Sequence, residues 1–207
     1  MTFPTLELEF ELLREHGSII AIDEVGRGAL AGPVAVGAFH FSAAQSEIPE
    51  GLKDSKLVPE AKRPELASRV TQWGSSAVGM AAAEEIESLG ITQALALAAT
   101  RAVAALPPAA IILLDGSHNW LGGQLGPVLV RTKADRDCAS VAAASVVAKV
   151  ERDQLMIDLA NEIAHYGFER NKGYSSPTHI AALREHGPSR EHRTSWLGKI
   201  LGGEGLF

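Results

Sequence analysis

The chain has 207 residues, 46% of them hydrophobic and 21% charged, with one cysteine and a formal net charge of −6. This composition excludes a disordered or collagen-like chain and a disulfide scaffold, and such a length can bury roughly 70% of its unfolded surface in one core. A net charge of −6 argues against a nucleic-acid partner, but the charge is uneven: residues 1–100 hold seven Lys/Arg against fourteen Asp/Glu, while 165–207 hold six against four.

Residues 5–15 read as a short helix ended by Gly17, and they lack the basic start and apolar stretch of a secretory signal. No apolar run approaches the roughly 18 residues of a membrane span, so the expectation is a cytoplasmic protein in a reducing compartment. Residues 18–22 (SIIAI) form an apolar strand that stops at Asp23-Glu24, followed by the glycine-rich turn EVGRGALAGP and a second strand over 34–41. Residues 42–55 are loop-like. Pro59 opens a helix through Trp73 that Pro64 interrupts, giving a turn and a restarted helix. Residues 76–82 suit a third strand and 92–106 an alanine-rich helix ended by Pro107-Pro108. Residues 110–114 (AIILL) and 128–132 supply two more strands. Residues 139–165 contain no Gly or Pro and form a long helix, buried in its first half and emerging at Glu151-Arg152-Asp153. Ser176-Pro177 caps and starts a helix through Glu185. Strands interleaved with helices indicate an α/β layered fold.

The acids fall in a pattern. Asp23 and Glu24 follow one apolar run, Asp115 a second, and Asp135 lies just past a third. Neighbouring strands of one sheet would gather these four carboxylates at their ends. Close like charges raise one another's pKa unless a cation holds them, and an oxygen-only ligand set suits Mg²⁺ or Mn²⁺. Two such ions about 4 Å apart activate water and stabilise the leaving oxygen of a phosphodiester.

Gly26-Arg27-Gly28 follows a strand as a dinucleotide-binding loop would, but Pro33 and a strand come next instead of a helix, which excludes that reading. Such a loop still brings backbone amides close to a sugar or phosphate, since glycine carries no Cβ. Tyr174, in the basic tail, suits stacking on a nucleotide sugar or base. His118 reads as loop surface and Cys138 as a small core residue.

Taken in order, DEVGRGALAGP, DSKL, LLDG, KAD with SVAAASVVAKVERD, and NKGY…PTHIAAL resemble the successive signatures of bacterial ribonuclease HII, the type 2 ribonuclease H, over residues 18 to 197. The resemblance implies a mixed five-stranded sheet flanked by helices over 1–165, with a small helical substrate-binding segment over 166–207 in the same compact unit. It implies that Asp23, Glu24, Asp115 and Asp135 bind two divalent ions and carry catalysis. It further implies that Gly26, Arg27 and Gly28 read the ribonucleotide 2′-hydroxyl, that Tyr174 stacks under the next deoxyribose, and that Lys53 and Lys56 contact phosphate. The substrate is then an RNA/DNA hybrid or a DNA duplex containing ribonucleotides, cut 5′ of the ribonucleotide by a monomeric enzyme with no membrane partner. Bound ions would be completed by substrate phosphate. The chain departs from the family pattern at Ala29, Val58, Pro64 and the inserted pair Ser175-Ser176. Three alternatives remain: a type 3 ribonuclease H, for which the residues before the first strand leave no room for its added domain; a non-catalytic hybrid binder; and a magnesium-dependent phosphohydrolase of small molecules.

Overall fold

The computed structural model describes residues 3–198 and 200–201, so Lys199 of the expected basic tail lies outside the described residues. In chain order the elements are α1 (Glu7–His16), β1 (Ile19–Val25), β2 (Val34–Phe41), α2 (Arg63–Trp73), β3 (Ser76–Ala81), α3 (Ala83–Leu89), α4 (Ile91–Ala104), β4 (Ile111–Asp115), β5 (Val128–Arg131), α5 (Ala134–Asp137), α6 (Ala139–Glu162), α7 (Phe168–Asn171) and α8 (Pro177–His186). The sheet order is β3-β2-β1-β4-β5. β1 pairs antiparallel with β2 and parallel with β4, and β4 pairs parallel with β5, so the sheet is mixed and five-stranded.

Strand alternation divides the core. Ile19 and Ala21 of β1 and Leu113 of β4 face α1, α2 and α6, whereas Ile20, Ile22 and Leu114 face α3 and α4. Two glycines let the helices approach closely: a Cβ on Gly37 would lie 2.1 Å from the Ala144 carbonyl oxygen of α6, and one on Gly79 would lie 2.0 Å from that of Ala98 in α4. Among the described residues no helix is long and apolar enough to cross a membrane.

Three differences from the sequence reading have physical causes. β1 runs on through Asp23 and Glu24 to Val25, because the antiparallel ladder with β2 continues to Val25–Ala35. Ala83–Leu89 forms a helix that a short polar segment did not announce; Glu85 accepts the Ala82 N–H at its start. The second half of α6 emerges on one side only, with Glu151, Gln154 and Asp158 exposed. Arg152 and Met156 are fully buried, because Leu30, Ala31 and the C-terminal residues Tyr166, Phe168, Ala182, Leu183 and Leu197 form a third apolar cluster over Met156. Pro64 sits in the first turn of α2, where its missing N–H leaves no helical bond unmade.

Candidate active site

Asp23 and Asp115 share a face. The last ladder pair of the parallel strands is Ile22–Leu114, and one step further along each chain comes an aspartate. Alternation turns both toward α6 and sets Glu24 on the opposite face. Asp135 arrives by a different route. Lys133 adopts the left-handed region at φ 63°, which turns the chain into the one-turn helix α5. There Asp115 Oδ1 accepts the Ala134 N–H at 2.7 Å, docking the helix that carries Asp135 onto the end of β4.

The acids influence one another electrostatically. Burial raises Asp23 well above the usual carboxylate range, and Glu24, Asp115 and Asp135 raise it further; the Ser145 hydroxyl of α6 opposes this by hydrogen bonding. Ser145 is itself joined to Ser55, oxygen to oxygen, at 2.9 Å. Burial raises Glu24 too, partly offset by Arg27, whose guanidinium stands 3.6 Å away. Burial, with Asp115 and Asp54, pushes Asp135 up to about 6 against the pull of Lys56, whose ammonium is 3.5 Å from it. Lys56 loses some solvation, yet Asp23, Asp54 and Asp135 hold it above its ordinary value.

A set of four carboxylates with no histidine or cysteine among them is the donor chemistry of Mg²⁺ or Mn²⁺, and their mutual repulsion is what a divalent ion relieves. Among the described residues no three acidic, histidine or cysteine side chains converge tightly enough to enclose an ion by themselves.

The glycine-rich loop lies beside these acids and is tied to the C-terminal segment. Tyr174 Oη accepts the Gly26 N–H at 3.1 Å, and the Tyr174 ring, 36% exposed, has Arg152 Cζ at 5.4 Å and Lys149 Nζ at 5.8 Å from its centre. The inserted Ser176 caps α8 by accepting the His179 N–H. Behind Tyr174 runs a relay of imidazoles. His179 Nδ1 donates to the Tyr174 carbonyl, His192 Nε2 donates to His179 Nε2 at 3.0 Å, and His192 Nδ1 accepts the Ser189 N–H; these partners fix both tautomers.

The two lysines separate. Lys56 reaches Asp135, while Lys53 lines a groove beside α2 with Lys62 and Arg69. The expected basic tail is also partly internal: Arg193 and Lys172 are buried, Arg193 inside the loop and Lys172 on Glu60 at 3.0 Å. Both face backbone carbonyls that need donors, so neither charge is on offer to a duplex. Sequence reasoning missed Ser145, Arg152 and Arg193. For Arg152 a signal existed: Ala148, Arg152 and Met156 fall at i, i+4 and i+8, a cation on an apolar stripe.

The family model described as Ribonuclease HII matches residues 20–199. A ribonuclease HII of Streptomyces avermitilis is 50% identical over 200 residues, covering 93% of this chain and 83% of that protein. That of Ruegeria pomeroyi is 42% identical over 204 residues, covering 97% and 86%. Among solved structures, the complex of PCNA and RNase HII from Archaeoglobus fulgidus matches with a TM-score of 0.72 at 26% identity, covering 86% of this chain and 94% of that one. A Bst-RNase HIII structure in complex with Mn²⁺ shares the fold at a TM-score of 0.61 and 21% identity, and this chain covers 63% of it. With a family match over most of its length, relatives at this identity and this sheet, the chain belongs to the ribonuclease HII family and is a divalent-metal-dependent ribonuclease H endonuclease.

Proposed function

We propose that the enzyme hydrolyses the phosphodiester 5′ of a ribonucleotide in an RNA/DNA hybrid or embedded in duplex DNA, leaving 3′-hydroxyl and 5′-phosphate ends. The observation that carries this is the juxtaposition of Asp23 and Asp115 on adjacent parallel strands with Asp135 docked on Asp115, beside a loop of open backbone. Two divalent ions, Mg²⁺ or Mn²⁺, would supply a deprotonated water and stabilise the leaving oxygen. Asp23, Glu24, Asp115 and Asp135 would hold them. The Ser145 hydroxyl favours the charged form of Asp23, and the Ala134 N–H orients the Asp115 carboxylate. Lys56 neutralises Asp135 until substrate arrives and then serves a phosphate, with Lys53 further along the backbone path.

Amides of the Gly26-Arg27-Gly28 loop would donate to the 2′-hydroxyl, the group that separates RNA from DNA. Tyr174 would offer its exposed ring to the following deoxyribose while its hydroxyl stays on Gly26. The segment from residue 166 would serve substrate binding within the same compact unit, and a monomer suffices for this chemistry. The test is cleavage of a duplex carrying one ribonucleotide, with and without Mg²⁺ or Mn²⁺, with the product ends mapped. Ion-dependent cutting 5′ of the ribonucleotide is expected. Binding without cutting in the presence of either ion would favour the hybrid-binding alternative.

A further inference from the structure

Arg152 and Arg193 are fully buried, and neither has a carboxylate within salt-bridge distance among the described residues. Burying an unpaired cation is unfavourable unless dipoles surround it. Here backbone carbonyls do so. Arg193 donates to the carbonyls of Gly26 at 2.8 Å, Arg27 at 2.9 Å and Gly32 at 3.0 Å. Arg152 donates to those of Pro33 at 2.8 Å, Lys172 at 3.0 Å and Ala31 at 3.2 Å. Burial and the neighbouring Arg152 charge lower Arg193 to about 10, which still leaves it charged at neutral pH. Trp196 covers its guanidinium, 4.9 Å from the ring centre.

These bonds fix the peptide planes. In a trans peptide the C=O of one residue and the N–H of the next point in opposite directions. With the carbonyls of Gly26 and Arg27 drawn inward onto Arg193, the N–H groups of Arg27 and Gly28 are turned outward, and neither has an acceptor among the described residues. Gly26 is pinned as well, at φ 82°, with a hypothetical Cβ 2.0 Å from Arg152 Nε.

We propose that Arg193, supported by Arg152, is a positioning residue that sets the discrimination between ribonucleotide and deoxyribonucleotide by holding the Arg27 and Gly28 amides toward the substrate. The inference rests on the loop reading the 2′-hydroxyl, as proposed above. The experiment measures kcat and KM on a duplex with one ribonucleotide, and the inhibition constant of the same duplex made wholly of DNA, for the full chain and for Arg193→Met and Arg193→Lys. Circular dichroism and thermal melting report folding of each variant. Arg193→Met is expected to raise KM at least tenfold and leave the all-DNA inhibition constant within twofold. Arg193→Lys, which keeps the charge but not the planar fork of donors, should fall between the two. If Arg193→Met does not fold, the Lys variant decides alone. KM and the inhibition constant moving in parallel, or kcat falling only with the folded fraction, would overturn the proposal. A wild-type enzyme that binds both duplexes equally would instead remove the reading of the loop on which it rests.

Discussion

Asp115 does two things with one carboxylate: it faces Asp23 across the strand pair, and its Oδ1 receives the N–H that docks α5. Asp115→Asn keeps the accepting oxygen and removes the charge. The variant should therefore melt within a few degrees of wild type yet lose more than about 100-fold in cleavage rate, exceeding the loss typical of residues behind a metal ligand; near-normal turnover would remove Asp115 from the metal-binding set. Gly26→Ala is a different kind of change. Its methyl would meet Arg152 Nε at 2.0 Å at a positive φ, so both stability and activity should drop, the first visible in a thermal melt. The four acids stood out in the sequence because Asp23, Glu24 and Asp115 follow apolar runs and Asp135 lies just past another. Ser145 and Arg193 were not, since a serine in an alanine-rich helix and an arginine in a basic tail look like neighbours of no consequence until the chain is folded.

At the level of elements, α6 is held from both ends. At its start the fully buried Glu9 of α1 accepts the N–H and the hydroxyl of Ser140, each into the same oxygen, while its other oxygen has no partner among the described residues. Glu9→Gln preserves the accepting oxygen and should be tolerated. Glu9→Ala leaves two buried donors unpaired and should lower unfolding free energy by about 1–3 kcal/mol or more in urea titrations. Further along the chain, the imidazole relay makes a pH prediction. Burial, and then the charge of His179, lowers His192 to about 4, and burial lowers His179. An unfolded histidine titrates near 6.5, so below that the unfolded chain binds the extra protons; the stability contribution is present above about pH 6.5 and is lost as pH falls toward 4. Buried acids with raised pKa, such as Asp23, act in the opposite sense, so the comparison must be differential. The stability gap between wild type and His192→Asn should narrow from pH 7 to pH 5, and a constant gap would rule the relay out as the cause. Strands and the long helices were readable from periodicity. The relay was not, because it depends on which loop closes over which.

For the molecule as a whole, most lysines and arginines among the described residues stay on the surface of an acidic protein. Arg27 and Lys56 are well exposed, with side chains 43% and 70% accessible, whereas Arg152, Lys172 and Arg193 serve the interior. Binding should weaken as salt rises, and Lys53→Ala should reduce the slope of log affinity against log salt by about one unit between roughly 50 and 200 mM salt. An unchanged slope would take Lys53 off the duplex path. Removal of the segment after residue 165 is not a clean test of substrate binding. It strips Tyr166, Phe168 and Leu183 from Met156 and takes Arg193 out of the loop, so the catalytic half would lose order with it.

Gly37 sits opposite Asp23 in the ladder, and the Ala144 carbonyl lies where its side chain would be. The hydroxyl of the next residue, Ser145, offsets the burial of Asp23 and favours its charged form. A methyl group at position 37 would wedge helix and sheet apart and withdraw that hydroxyl from the carboxylate. In a saturation screen for loss of cleavage, position 37 would then score with the active site, although nothing there can touch a substrate. The spacing of two layers, set by the one residue without a side chain, is part of the catalyst.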